Sequence, residues 1–364
     1  MAGVIPTTKH KRIFLLTLPR TASNLLVRML NLENQSALVR PDGDAEANSQ
    51  YEYFFVSTVP LRIELADRPS EKWSQDEYTQ VKQRLQASAD GLLSYLEEAG
   101  ADGRSVFVKE HLLWMLSPQA EDLVKRVDKW ERRFWKVKLP GGTTIQRGSK
   151  AASDASNDRQ GDVQGEQAPI VENETVFPDG FLRIWTPTFL IRHPALVFPS
   201  LYRTSVDLEG RDEAKKNAGG MFRLEMTWRW SRKLWEWYNQ QWQEGNTILR
   251  PIILDADDII LKPGVIISYC KLVGLDAEKC RFEWEPANAE EGWSMNFIEK
   301  RMKSSLLSSA GIIREGKVAA GLDIEQEMRK WSDEFGEEEA KKIEAWVTAA
   351  MPDYDFLCER RLRV

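Results

Sequence analysis

Apolar positions fall in short unbroken runs along the first half of the chain and in wider helical stripes later. Ile13 to Leu18 is nearly all apolar, the mark of a strand buried on both faces of a parallel sheet. Pro19 stops the run, because proline cannot donate to the ladder. Ser23 or Asn24 can cap the helix that follows, whose Leu25, Leu26, Met29 and Leu30 share one face. The spacing predicts a helix over Gln80 to Glu98, ended by Gly100 and the Asp102-Gly103 turn. A strand from Ser105 to Lys109 then runs directly into Glu110 and His111. Thr188 to Arg192 is a further strand, and His193-Pro194 opens a helix through Tyr202, with the proline where a missing N–H costs nothing. Met221 to Trp242 reads as one helix with a wide stripe (Met221, Leu224, Trp228, Trp235, Tyr238 and Trp242), assigned mainly to the core. Ile248 to Leu254 is a buried strand, Pro263 to Val273 a helix closed by Gly274, and Ile324 to Thr348 a charged helical region.

Strands alternating with helices predict an α/β protein, and 364 residues suffice for a full core in one large domain or two smaller ones. From 141 to 173 the chain is rich in Gly, Ser, Asp and Gln and loses periodicity. The strand pattern resumes afterwards, so this stretch is read as a mobile insertion within a single domain spanning 1–364. The sequon at Asn173 to Thr175 is read as accidental.

Composition narrows the chemistry. A formal net charge of −6 argues against nucleic acid as a partner. Three scattered cysteines (Cys270, Cys280 and Cys358) predict reduced thiols. No cysteine pair has ligand spacing and the three histidines lie far apart, so no metal is expected. No run approaches about 20 apolar residues and the N-terminus has no signal-peptide core, so the expectation is a soluble, cytoplasmic protein that does not associate with membrane.

The turn after the first strand holds the clearest chemistry. Strand, tight turn and helix present backbone N–H groups and a positive dipole end to a phosphate-like anion, and Arg20 adds a permanent charge with several donors. The turn is not a Walker A loop: it lacks the glycines and the Lys-Ser/Thr pair that hold phosphates and Mg²⁺. A nucleotide kinase is therefore disfavoured. Lys109, Glu110 and His111 would sit at the carboxyl end of a neighbouring strand, the edge where ligands bind in open α/β sheets.

Taken together and in order, these segments resemble the sulfotransferases that use 3′-phosphoadenosine 5′-phosphosulfate (PAPS), with a divergent, fungal-type character. The turn Leu18-Pro-Arg-Thr-Ala-Ser-Asn24 is similar to the family's 5′-phosphosulfate loop. Lys109-Glu-His-Leu112 is similar to its Lys-Thr-His-Leu, which contains the catalytic base. Arg192 and Ser200, with Pro194 two residues after the arginine, match its 3′-phosphate motif. Ile253-Leu-Asp-Ala-Asp-Asp258 and Gly274-Leu275 resemble a strand end and turn of the family, and Arg314-Glu-Gly316 its Arg-Lys-Gly. Three features depart from the pattern. Ala22 stands at the loop glycine, Asn24 at a usual Ser or Thr, and no Gly-Asp-Trp follows Gly316. The aromatic that stacks on the adenine is not assigned.

The resemblance implies a three-layer α/β/α fold of the P-loop NTPase-like type, with a central parallel, roughly five-stranded sheet. It implies PAPS as co-substrate, 3′-phosphoadenosine 5′-phosphate (PAP) as product, and no metal. Sulfonyl transfer needs an acceptor oxygen deprotonated as it attacks and stabilised charge on the departing phosphate. His111 would be the base. Arg20 would act electrostatically with the amides of Thr21, Ala22, Ser23 and Asn24. Arg192 and Ser200 would bind the 3′-phosphate, and Arg314 and Gly316 would close over it. Lys109 would either contact the sulfonate or form a structural ion pair, and His193 would serve local turn structure. The expected acceptor is the hydroxyl of a small apolar or aromatic molecule, since 14 tryptophans supply aromatic surface. A homodimer is open, as is sulfation that only creates a leaving group. The competing reading is a non-catalytic or repurposed PAP- or nucleotide-binding protein on the same fold.

Overall fold

A computed structural model describes residues 11–38, 53–101, 103–124, 134–139, 171–217, 220–247, 249–287 and 295–364. Most of the expected insertion, 141–170, lies outside the described residues. Its last residues pack on the body: the Val171 N–H donates to Gln240, and buried Asn173 donates its amide to the Phe177 carbonyl at 2.7 Å.

Among the described residues, four strands form one sheet: β1 (Arg12–Thr17), β2 (Val106–His111), β3 (Thr186–Ile191) and β4 (Ile252–Asp255). Their order is β2-β1-β3-β4 and every pairing is parallel. Each overlaps a run marked by apolar patterning, although β4 starts at Ile252 rather than Ile248 and β2 extends past Lys109 to His111; roughly five strands were expected from resemblance. Alternate side chains feed two cores, as a sheet buried on both faces requires. Phe14, Leu16, Val108, Phe189 and Ile253 face one core. Ile13, Leu15, Phe107, Leu190 and Leu254 face the other. The longer helices supply the outer layers. α1 (Ser23–Leu30) and α5 (Pro263–Val273) lie on the second face. α2 (Gln75–Ala101), α3 (Pro194–Glu209), α4 (Arg229–Gln243), α7 (Ile324–Phe335) and α8 (Glu337–Glu359) lie on the first. α6 (Phe297–Leu307) buries none of its residues fully. The result is the three-layer α/β/α arrangement.

Several helix boundaries differ from the sequence reading: α2 runs from Gln75 through Gly100 to Ala101 rather than from Gln80 to Glu98, and α3 continues past Tyr202 to Glu209. The expected helix from Met221 to Trp242 is two helices, Met221–Glu225 and α4. The Thr227 hydroxyl accepts the Arg229 N–H at 3.1 Å, and the Trp230 indole takes the Leu224 carbonyl at 2.7 Å, so side chains satisfy groups that a continuous helix would pair. The apolar stripe is core as expected, with Met221, Leu224, Trp228, Trp235 and Tyr238 buried, whereas Trp242 is partly exposed. The first helix also starts otherwise. Its N-cap is Ala22, in left-handed conformation and without a side-chain cap bond, so Ser23 and Asn24 lie inside the helix.

The register sets the site. Thr17 lies opposite His111 on β2, and Leu16 opposite Phe189 on β3. The carboxyl ends of β2, β1 and β3 therefore open side by side, delivering His111, the Arg20 turn and Arg192 to one edge.

Candidate active site

The turn between β1 and α1 is wound tightly. Arg20 and Ala22 both have positive φ, 68° and 66°, a region that β-carbons disfavour. Buried Thr21 between them donates its hydroxyl to the Leu18 carbonyl at 2.8 Å and pins the turn. The Leu26 N–H closes the first helical bond on the Ala22 carbonyl at 3.0 Å, and α1 points its N-terminus at the strand ends.

Cations gather in front of that turn. Arg20 Nε donates to Ser200 Oγ at 3.0 Å and its Nη1 to the Met302 carbonyl at 2.9 Å. Arg192 Nη1 donates to the Arg20 carbonyl at 3.1 Å and Nη2 to the Lys317 carbonyl at 2.9 Å. Arg192 Nε is buried with no hydrogen-bond partner. Nearby Arg203 pairs with Glu334, and Arg301 with Asp207. Among the described residues no carboxylate forms an ion pair with Arg20, Arg192 or Lys317. Burial, reinforced by Arg301, Arg192 and Arg203, pulls the Arg20 guanidinium down to about 10. Burial also lowers Lys317, with Arg192 and Arg20 adding to the effect. Asp257 and Asp255 act on Arg192 in the opposite sense, whereas the cations around Arg20 and Lys317 repel one another, a condition that a bound anion would relieve.

The strand ends beside it hold a second group. Lys109 is fully buried; its Nζ donates to Asn24 Oδ1 at 2.6 Å and lies 4.6 Å from the Tyr53 ring centre. His111 Nδ1 is 2.7 Å from Thr17 Oγ1. Its ring sits 4.7 Å from Tyr53 and 4.6 Å from Trp114, edge-on to the latter. Burial and then the Lys109 charge hold the His111 imidazole well below its ordinary range, so it is neutral near pH 7. Glu110 fixes the surrounding backbone by accepting N–H groups of Phe55 at 3.1 Å and His111 at 2.9 Å.

The structure thus brings together Arg20, Asn24, Lys109, His111, Arg192 and Ser200, with Thr21, Ala22 and Ser23 forming the turn. Arg314 and Gly316 lie at the surface, Gly316 in a turn at φ 64° where Lys317 N–H bonds the Arg314 carbonyl. Lys317, one residue further, is what meets Arg192. Asp257 holds that segment by accepting the Ala319 N–H at 2.7 Å. His193 caps α3, its Nδ1 accepting the Ala195 N–H at 3.2 Å, the local turn role expected. Sequence reasoning missed Lys317, Trp114 and Tyr53. The first two sit within three residues of recognised motifs. Tyr53 has no local signal, yet it adopts φ 64°, an outlier for a bulky residue, and its N–H bonds the Lys109 carbonyl at 3.0 Å.

Comparison with known proteins gives this geometry a family. A sulfotransferase, ppzF, from Metarhizium rileyi is 36% identical over 363 residues, covering 98% of this chain and 97% of its own length. The ppzF sulfotransferase of Metarhizium majus is 35% identical over 367 residues, covering 98% of each chain. No family model and no solved structure matches the chain. With near-complete coverage at this identity, the chain belongs to the sulfotransferases.

Proposed function

We propose that the protein transfers a sulfonyl group from PAPS to the hydroxyl of a small apolar or aromatic molecule, with His111 as base. The observation behind this reading is the gathering of Arg20, Arg192 and Lys317, none of them in an ion pair among the described residues, beside a neutral histidine on the adjoining strand end. The buried, unpartnered Arg192 Nε offers a further donor to an anion, so the residues present fit a dianionic phosphate group. Arg192 and Ser200 would hold the 3′-phosphate, and Arg20 with the amides of Thr21 to Asn24 the 5′-phosphosulfate.

PAPS supplies an activated sulfonyl group whose phosphate departs as the acceptor oxygen attacks. The chain's part is to orient and neutralise. Arg20, which does not readily release its proton, stabilises charge on the leaving oxygens. Thr17 holds Nδ1 of His111, which leaves Nε2 to take the acceptor proton. Tyr53 and Trp114 flank the imidazole and give a flat acceptor two ring faces to lie against.

A second reading keeps PAP binding without catalysis, and the nearly complete burial of His111 favours it. Labelled PAPS incubated with a panel of phenols and alcohols separates the two. Calorimetry should give a micromolar-range PAP complex, weakened about 30-fold by Arg192→Ala, the worth of roughly 2 kcal/mol from a lost charge-assisted contact. Unchanged PAP affinity in a folded Arg192→Ala protein removes Arg192 from the site. PAP binding with no transfer to any acceptor leaves the non-catalytic reading.

A further inference from the structure

The sulfurs of Cys270 and Cys280, ten positions apart in sequence, lie 3.4 Å from one another. Both are free thiols. Cys270 is fully buried in the last turn of α5, and Cys280 follows the short helical turn Ala277–Lys279, half-buried. The fold makes this pairing. Gly274, at φ 79°, ends α5 with its N–H on the Cys270 carbonyl at 2.8 Å, and the Leu275 N–H shares that acceptor at 2.9 Å. This left-handed cap reverses the chain and returns Cys280 to the side of the helix where Cys270 lies.

We propose that Cys270 and Cys280 are a redox modification site, converted to an intramolecular disulfide by a peroxide or a low-molecular-weight disulfide. The sulfurs need to close from 3.4 Å to the roughly 2.05 Å of the bond, a movement within reach of side-chain rotation and a small shift of the turn. Cys280 is the solvent-reachable partner and attacks first, as a thiolate, expelling one small thiol from the oxidant. Cys270 then gives up its proton and attacks the Cys280 sulfur of the mixed disulfide, expelling the second small thiol. Two electrons and two protons leave the protein, and the oxidant ends as two thiols. With hydrogen peroxide the intermediate is Cys280 sulfenic acid, and two waters are released. The local electrostatics favour that order, since the contact between the sulfurs lowers the Cys280 thiol and raises that of Cys270, which burial raises further.

The bond would join α5 to a segment already clamped on α1. Asp276 exchanges two bonds with Gln35, its N–H donating at 2.8 Å and its carbonyl accepting at 3.0 Å. Asn31 donates to the Lys279 carbonyl at 2.8 Å, and Arg281 N–H to the Met29 carbonyl at 2.8 Å. The same segment continues to Trp284, whose N–H and indole bond Ala310 and Ser309, in the stretch leading to Lys317. Oxidation therefore tightens the far end of the phosphate-turn helix and the root of the segment that meets Arg192. The effect on donor binding rests on the proposed PAPS reading; formation of the disulfide does not.

The full-length protein is treated with glutathione disulfide or hydrogen peroxide, then denatured for thiol counting and peptide mapping. Three thiols are expected before treatment, one after, a Cys270–Cys280 crosslink within the monomer, and recovery with dithiothreitol. The Cys280→Ser protein should keep both of its thiols. If that variant fails to fold, Cys358→Ser serves instead, going from two thiols to none. Three thiols surviving oxidation, or a crosslink through Cys358, overturns the site. PAP affinity, measured on both forms, should differ at least about threefold; equal affinity with a complete crosslink overturns the donor-side consequence. Failure of either form to bind PAP would count against the functional reading, and the thiol count would still decide the site.

Discussion

Ala22 holds a conformation that its side chain resists. Its φ of 66° places a β-carbon where a left-handed backbone crowds the carbonyl, at a cost of roughly 1–2 kcal/mol relative to the right-handed form. Glycine would remove that strain but lose more chain entropy on folding, about 0.5–1 kcal/mol. Ala22→Gly should therefore stabilise the protein by a net of about 0.5–1 kcal/mol, read as a higher urea midpoint at unchanged slope. A lower midpoint would mean that the alanine methyl packs usefully in the turn. His111 is the second residue with a sharp consequence. As the base, its replacement by alanine should reduce turnover by roughly two to four orders of magnitude and leave PAP affinity nearly intact. Because burial and Lys109 push its pKa down, the acid limb of kcat/KM should lie below the ordinary histidine value of about 6.5. A limb above that value, or full activity in His111→Ala, would assign the proton to another group.

At the scale of elements, the strands were the most legible feature, because a strand buried on both faces is built mostly of apolar residues, with Lys109, Glu110 and His111 at the buried end of β2 the exception. All four were visible as such runs, and Gly274 marked the end of α5 because a left-handed cap needs glycine. The helix over Met221 to Trp242 was less so. Its stripe persists across the break, and the interruption depends on a Thr227 hydroxyl and a Trp230 indole whose partners only the fold defines. The site follows the same division. Arg20, Lys109, His111 and Arg192 could be named because each lies at or just beyond a strand end, where spacing along the chain reports position in space, whereas Ser200, in the second turn of α3, was named only through the resemblance. Asn24 was named for its backbone amide, and its side-chain oxygen also accepts from Lys109. Tyr53 escaped because it reaches the site from an irregular connection, through a backbone bond to Lys109 and a strained φ that no residue pattern announces. Lys317 escaped for a milder reason. Its carbonyl, not its side-chain identity, is what Arg192 uses.

Over the whole molecule, two titratable groups, buried His111 and half-buried Glu225, pull the stability curve in opposite directions. His111 has its pKa lowered by folding, so the unfolded chain binds the extra proton, and stability is lost as pH falls below about 6.5. Glu225 behaves the other way. Burial, with Glu209 adding to it and Arg62 opposing, raises its carboxyl from 4.5 to about 8. The unfolded chain releases that proton from about pH 4.5 upward while the folded chain retains it until about 8, so stability falls across this window and the full cost is present above it. Arg62, which would be its natural partner, is engaged elsewhere. It pairs with Glu121 and donates to the Trp114 and Leu116 carbonyls at 3.2 and 3.3 Å, behind the ring that flanks His111. Glu225→Gln keeps the shape and removes the charge. Since part of the Glu225 side chain remains at the surface, solvent screens the effect, and the gain expected at pH 8 is about 1–2 kcal/mol. At pH 4.5 the wild-type carboxyl is already protonated when folded, so the two proteins should unfold at nearly the same urea concentration. Their midpoints should separate progressively as pH rises to 8, with the variant the more stable. A gain equal at both pH values would trace to packing or hydrogen bonding. A loss at pH 8 would show that the ionised Glu225 is compensated by Arg62 after all.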